Sequence, residues 1–180
     1  MLNPERLETQ RLILRRPELA DAAAIFDRFT SDPAVTRFMS WATHSTVDDT
    51  LGYLRFSTAG WDNNEDFSYL VLSRDDLRLL GSTGLHPESK AELFTGYVFA
   101  RDAWGKGFAT EALSAMLELA PSVRTVRSVS ATCAIDHAAS IRVMEKCGMQ
   151  RDTILKKHQV LPNLGAEPRD VVRYVKRYDR

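Results

Sequence analysis

The hydrophobic pattern of this chain changes period once, and the change falls on a loop that carries two glycines. Upstream, Phe67 to Leu72, Leu79 to Leu85 and Leu93 to Phe99 read as consecutive strands, the first two joined by a turn at Arg74-Asp75-Asp76. Downstream, Gly107 to Leu119 carries Ala112, Leu113, Met116 and Leu117 on one helical face, and Pro121 closes it. Val126 to Ala134 then reads as a strand, and Ala138 to Lys146 as a helix with Gly148 as its C-cap. A meander followed by strand–helix–strand–helix predicts a mixed α/β (α+β) fold, a sheet with helices packed on its faces.

The flanks fit around this centre. Arg11 to Arg15 alternates as a first strand, and Ile25, Phe26 and Phe29 share one face of a short helix. Asp32-Pro33 restarts a helical turn with a capping residue and a proline at the first position. Thr46 to Thr58 is expected to be helical, with Val47, Leu51 and Leu54 aligned and Gly60 as a stop. Thr153 to Lys157 and Val171 to Lys176 form a terminal hairpin around a long loop, Gln159 to Asp170, which holds Pro162, Gly165 and Pro168. A loop of that length is oversized for a simple connection and is expected to be functional. With no repeats, linkers or low-complexity tracts, residues 1–180 read as a single domain.

Composition narrows the function classes. The 24 basic and 24 acidic side chains cancel, which argues against nucleic acid as the main partner. No stretch approaches the roughly 20 apolar residues of a membrane helix, and charges interrupt the N-terminal segment too often for a signal peptide. Two cysteines, Cys133 and Cys147, make no disulfide framework and suit a reducing, cytoplasmic setting. The four histidines and two cysteines show no metal-ligand spacing, so no metal is expected.

The richest segment runs from Gly96 through Trp104-Gly105-Lys106-Gly107 to Ala112, from a strand into a helix. Gly105 and Gly107 allow a sharp turn and close approach to a ligand. The helix start behind them offers unpaired N–H groups and the positive end of a dipole, which suits a pyrophosphate. A P-loop needs a longer Gly-x-x-x-x-Gly-Lys-Ser/Thr spacing, and a Rossmann loop needs a small residue at Thr110 with an acid near Thr125; neither is present.

Trp104-Gly105-Lys106-Gly107-Phe108-Ala109-Thr110-Glu111-Ala112 resembles the acetyl-CoA pyrophosphate loop of the GNAT-superfamily acetyltransferases, most closely the RimJ/RimL type that acetylates N-terminal alanines of ribosomal proteins. Ser140-Ile141-Arg142-Val143-Met144-Glu145-Lys146-Cys147-Gly148-Met149 resembles that group's second motif. The opening Thr9 to Arg15 and the Leu80-Gly81-Ser82 strand match as well, so the likeness spans most of the chain. It implies a GNAT acyl-CoA N-acyltransferase fold, a splayed mixed sheet flanked by helices, with acetyl-CoA as co-substrate. By the same resemblance the backbone of Tyr97, Val98 and Phe99 bonds the pantetheine arm, and the amides of Gly105, Lys106, Gly107, Phe108, Ala109 and Thr110 bind the pyrophosphate. His137 stands where relatives carry a pantetheine-contacting asparagine. Trp41 and His44 fall in the loop through which relatives admit substrate, and the 159–170 loop is expected to join them in walling the acceptor site.

The acid–base residues depart from the family pattern. The tyrosine that protonates the leaving thiolate falls on Met144, a glutamate base on Thr132, and another strand glutamate on Phe94. Ser140, one turn before Met144 on the same helix face, becomes the expected proton donor, and Glu92, with the parity of Phe94, the nearest carboxylate. His86 and His158 read as surface or turn residues, and Cys133 as a core thiol. A lysine amine with a pKa of about 10.4 needs strong help to lose its proton, whereas an α-amine near 7.7–8.0 is roughly a tenth neutral already. The expected acceptor is therefore an N-terminal α-amine of a protein or peptide. A small amine (polyamine, amino acid or antibiotic) stands second, and a non-catalytic acyl-CoA-binding module is the rival from another class. Neither nucleic acid nor membrane is expected as partner, and the sequence leaves a homodimer open.

Overall fold

Alternation along β3 (Phe67–Ser73) sets the layering: Tyr69 and Val71 enter one hydrophobic core and Leu70 the other, so the cores lie on opposite faces of one sheet. The computed structural model describes residues 4–179. The other strands are β1 (Arg6–Glu8), β2 (Leu12–Arg15), β4 (Leu79–Pro87), β5 (Glu92–Phe99), β6 (Ser128–Ala134), β7 (Gln150–Val160) and β8 (Pro168–Arg177). Their order is β1-β2-β3-β4-β5-β6-β8-β7, and every neighbouring pair is antiparallel except β5–β6.

The larger core takes the apolar face of α4 (Phe108–Leu119), with Ala112, Leu113, Met116 and Leu117 all buried, and Met144 from α5 (Ala138–Lys146). The smaller core lies under α1 (Ala22–Ile25), α2 (Pro33–Thr36) and α3 (Val47–Asn63), where Ile25, Phe29, Val35 and Leu54 meet Leu70.

Three elements differ from expectation. Helix α3 runs through Gly60 to Asn63 and ends on Asn64 in the left-handed conformation (φ 60°). Gly60 is there for space rather than as a stop: a Cβ would lie 2.5 Å from Cβ of Asp66. The helix begins as read, on a Thr46–Asp49 capping box. Residues 26–30 widen into a π turn, which keeps Phe29 buried while Phe26 is only half-buried. The terminal hairpin is much longer than expected, so only residues 161–167 connect its strands, and Pro162–Leu164 is a short 3-10 turn.

Candidate active site

The site begins where the sheet stops being a sheet. Strands β5 and β6 are in register only at Glu92–Ser128, Leu93–Val129 and Phe94–Ser130, and beyond those rungs they diverge. The Ala100 amide donates to the Leu80 carbonyl and the Glu88 amide to the Glu92 carbonyl, so even-numbered residues of β5 spend their backbone groups on the β4 side. Odd-numbered Tyr97 and Phe99 therefore turn theirs toward the gap, and the indole Nε1–H of Trp104 donates to the Phe99 carbonyl at 2.7 Å. Val98 differs from expectation: it lines the cleft, but its backbone groups belong to the β4 ladder and its side chain packs against the smaller core.

Behind β5 the chain passes through Gly105 and Gly107, both left-handed (φ 72° and 81°), before α4 starts. Gly107 is the N-cap and has no side chain to accept from the first helical amides, so the N–H groups of Phe108, Ala109 and Thr110 stay open. Arg11 braces the loop. Its Nη1 donates to the Lys106 carbonyl at 3.0 Å, its Nε pairs with Glu111 at 2.7 Å, and its guanidinium lies 4.8 Å from the centre of the Phe108 ring.

A cleft of about 360 Å³ opens from the divergence of β5 and β6. Ala131 to Ala134, Tyr97, His137 and Ser140 line it, together with Phe38, Trp41, Tyr53, Asp66 and His86. Ser140 is buried, and its Oγ lies 2.8 Å from the Tyr97 hydroxyl, which also donates to the Ser140 carbonyl at 3.1 Å. Burial raises the Tyr97 pKa, outweighing the Ser140 bond that lowers it. The His137 ring stacks on Phe38 at 4.2 Å, and burial lowers its pKa more than Asp136 raises it, so the ring is neutral. Burial also pushes the Cys133 thiol up to about 11, which fits an inert core thiol.

Two expected site residues lie elsewhere. Glu92 sits on the closed part of the β5–β6 ladder, where its carboxylate accepts from Arg173, which also holds Asp152. It does not line the cleft and is not placed to act as a base. His44 turns its Nδ1 to the Thr50 hydroxyl at 2.7 Å and so fixes the loop to α3, while its neighbour Trp41 faces the cleft. Among the described residues no cluster of His, Cys, Asp or Glu has the arrangement of a metal site, and no helix is long and apolar enough to cross a membrane.

The family model described as "Acetyltransferase (GNAT) domain" matches residues 11–150. The chain belongs to the GNAT acetyltransferase family. The uncharacterized N-acetyltransferases YoaA and YnaD of Bacillus subtilis (strain 168) are similar to it, at 29% and 30% identity. Each alignment covers 84% of this chain and 86% of the relative. The crystal structure of a GNAT-family acetyltransferase from Bacillus anthracis superposes with a TM-score of 0.83 at 26% identity, over 96% of this chain and 98% of that one. At 16% identity two further structures share the fold. The microcin C7 self-immunity acetyltransferase MccE, in complex with acetyl-CoA and AMP, has a TM-score of 0.87 over 98% of both chains. RimL, the ribosomal L7/L12 α-N-protein acetyltransferase in complex with coenzyme A, has 0.86 over 97% of this chain and 99% of that one. The protein is thus an acetyl-CoA-dependent acetyltransferase.

In this acetyltransferase the structure adds contacts that the sequence did not show. The Tyr97 phenol joins Ser140, although the family resemblance implied only a backbone role. His86, read as a surface or turn residue, lines the cleft and bonds Asp66. Asn163, at the hairpin tip, donates through Nδ2 to the carbonyls of Thr36 and Trp41 and accepts from the Thr43 amide. Pairings between residues so far apart depend on strand register and leave no local signal in the sequence.

Proposed function

We propose that the acetyltransferase acts as a single domain on the N-terminal α-amine of a protein or peptide. The carrying observation is the character of the cleft: its one carboxylate among the described lining residues, Asp66, is already bonded by His86 and Ser68. A site without a free carboxylate suits an amine that is already partly neutral near pH 7 better than a lysine side chain. RimL and a ribosomal-protein-S5-alanine acetyltransferase from Vibrio fischeri have the same fold, which agrees with this reading.

Acetyl-CoA supplies the acetyl group as an activated thioester. The backbone groups of Tyr97 and Phe99 that face the gap hold the pantetheine arm, where Trp104 now satisfies the Phe99 carbonyl. The amides from Gly105 to Thr110 hold the pyrophosphate, with Gly107 leaving room for it. His137 borders the arm as a neutral ring, and Trp41 and Phe38 seat the acceptor. Orientation of the two reactants accounts for most of the rate. Ser140 gives the proton that the departing sulfur needs, and Tyr97 backs it through their shared hydrogen bond.

A second reading, a small free amine as acceptor, is favoured by the cleft volume of about 360 Å³, near the low end for small-molecule sites. Following thiol release from acetyl-CoA with alanine-initiated peptides, spermidine and free amino acids separates the two. Turnover highest with the peptides supports the proposal, and turnover confined to small amines replaces it.

A further inference from the structure

His86 and Asp66 line the cleft without a task in the scheme above. His86 lies near the end of β4, and its Nδ1 is 2.9 Å from Oδ2 of Asp66, which immediately precedes β3. Asp66 is itself fixed, since its Oδ1 accepts from the Ser68 amide at 2.9 Å and the Ser68 hydroxyl at 2.7 Å. Burial raises the Asp66 pKa, but the bonds from His86 and Ser68 together outweigh it, leaving an ionised carboxylate. A carboxylate against Nδ1 makes that nitrogen the donor, and in the uncharged form of a ring so bonded the lone pair is on Nε2.

The other side of the ring lies along the strand, over Gly84. Nε2 takes no hydrogen bond from the described residues, and it lies 3.0 Å from where a Cβ on Gly84 would stand. Glycine at 84 leaves room both for the imidazole and for the β3 backbone, since the same Cβ would lie 2.9 Å from the Phe67 carbonyl oxygen. Across the β4–β5 ladder His86 is the direct partner of Phe94, the position at which the family resemblance expects a glutamate.

We propose that His86 is the general base that takes the proton of the acceptor amine, and that Asp66 is its positioning residue. This rests on the amine-transfer reading above. The amine lone pair forms the C–N bond as the C–S bond breaks and its electron pair leaves with sulfur. The amine proton passes to Nε2 of His86 and then to solvent. Sulfur takes its proton from Ser140, which recovers one by way of Tyr97, and solvent returns a proton to Tyr97, so the enzyme ends the turnover in its starting state. The titratable groups that share the cleft with His86 are Asp66, Tyr53 of α3, Tyr97 of β5, Cys133 of β6 and His137. Burial raises the pKa of Tyr53, Tyr97 and Cys133 and lowers that of His137, so Asp66 is the charged group among them near neutrality.

The test uses His86→Ala and Asp66→Asn in the full chain, with acetyl-CoA and an alanine-initiated hexapeptide, or spermidine if the peptide is not acetylated. His86→Ala is expected to lower kcat about 100-fold, within the usual range for acid–base catalysis. Acetyl-CoA affinity by calorimetry stays within about 2-fold, the expectation for a group that acts only in the chemical step. Asp66→Asn is expected to lower kcat about 10-fold with an unchanged KM for acetyl-CoA, and to mix the ring tautomers. Long-range 1H–15N NMR of the wild type is expected to show the neutral ring protonated on Nδ1. An active wild type with an equally active His86→Ala, or a proton on Nε2, overturns the base assignment alone. A wild type that releases no thiol with either acceptor overturns the amine-transfer reading and the assignment with it.

Discussion

The side-chain amide of Asn163 donates to the Trp41 carbonyl across 2.9 Å, joining positions 122 residues apart. The same side chain bonds Thr36 and Thr43, so one residue at the hairpin tip holds the whole 36–43 segment against the cleft. Removing it strands several half-buried polar groups, at a cost of about 1–3 kcal/mol. Asn163→Ala should lower the melting temperature and raise KM for the amine several-fold, with KM for acetyl-CoA nearly unchanged. Parallel steady-state titrations of the two substrates check this, and equal rises in both would make the tip a purely structural fastener.

Gly107 has φ 81° and caps a helix whose first amides are open. Gly107→Glu puts a negative side chain where the pyrophosphate is proposed to bind and costs about 1–2 kcal/mol for the left-handed backbone. It should abolish acetyl-CoA binding in calorimetry while circular dichroism remains native. Retained affinity in a folded variant would remove the pyrophosphate from this loop.

The hydroxyls of Ser140 and Tyr97 are hydrogen-bonded at 2.8 Å, so they should act as a unit. Ser140→Ala should lower kcat roughly 10-fold with little change in acetyl-CoA affinity. Adding Tyr97→Phe should cost far less than the product of the single effects. Full kcat in Ser140→Ala would exclude the serine as donor, and His137 would be the next residue to replace.

Glu111 gathers the Thr9 hydroxyl at 2.6 Å, the Arg11 amide at 2.8 Å and the Arg11 guanidinium at 2.7 Å. Burial raises its pKa, yet these bonds hold it below the ordinary 4.5. A carboxylate depressed on folding stabilises the native state above its unfolded pKa, and that stability is lost as pH falls through the folded one. Glu111→Gln should therefore be less stable than wild type at pH 7 by about 1–3 kcal/mol. The difference should shrink as pH falls below 4.5, and urea unfolding at pH 7 and pH 3.5 reads it directly.

The elements legible in the sequence were those with one buried face. Helix α4 shows its four inward residues by their spacing, because it presses an apolar stripe on the sheet, and α5 matches its expected bounds. Strand β7 was read far too short, since it lies at the sheet edge with most residues exposed and carries no alternation to count. Strand β1, with three residues and a mixed polar pattern, was missed for the same reason. In the site, the glycine loop was legible because its backbone needs particular residues. The bonds His86–Asp66 and Tyr97–Ser140 were not, because register and docking of α5 create them. Glu92 misled because parity fixes a face of the strand but not the position along it, and it lies one step outside the opening.

The three rungs between β5 and β6 have a mechanical meaning. They are the seam between a five-stranded antiparallel half and a three-stranded one, stitched for a few residues and then left unsewn. A pantetheine arm laid along the open edge would complete the stitching as a borrowed strand, exchanging amide bonds with Tyr97 and Phe99. The acyl donor would then be part of the scaffold while it is consumed, and each product release would loosen the enzyme's own architecture. Deuterium uptake along both lips of the seam would rise and fall with the occupancy of that edge.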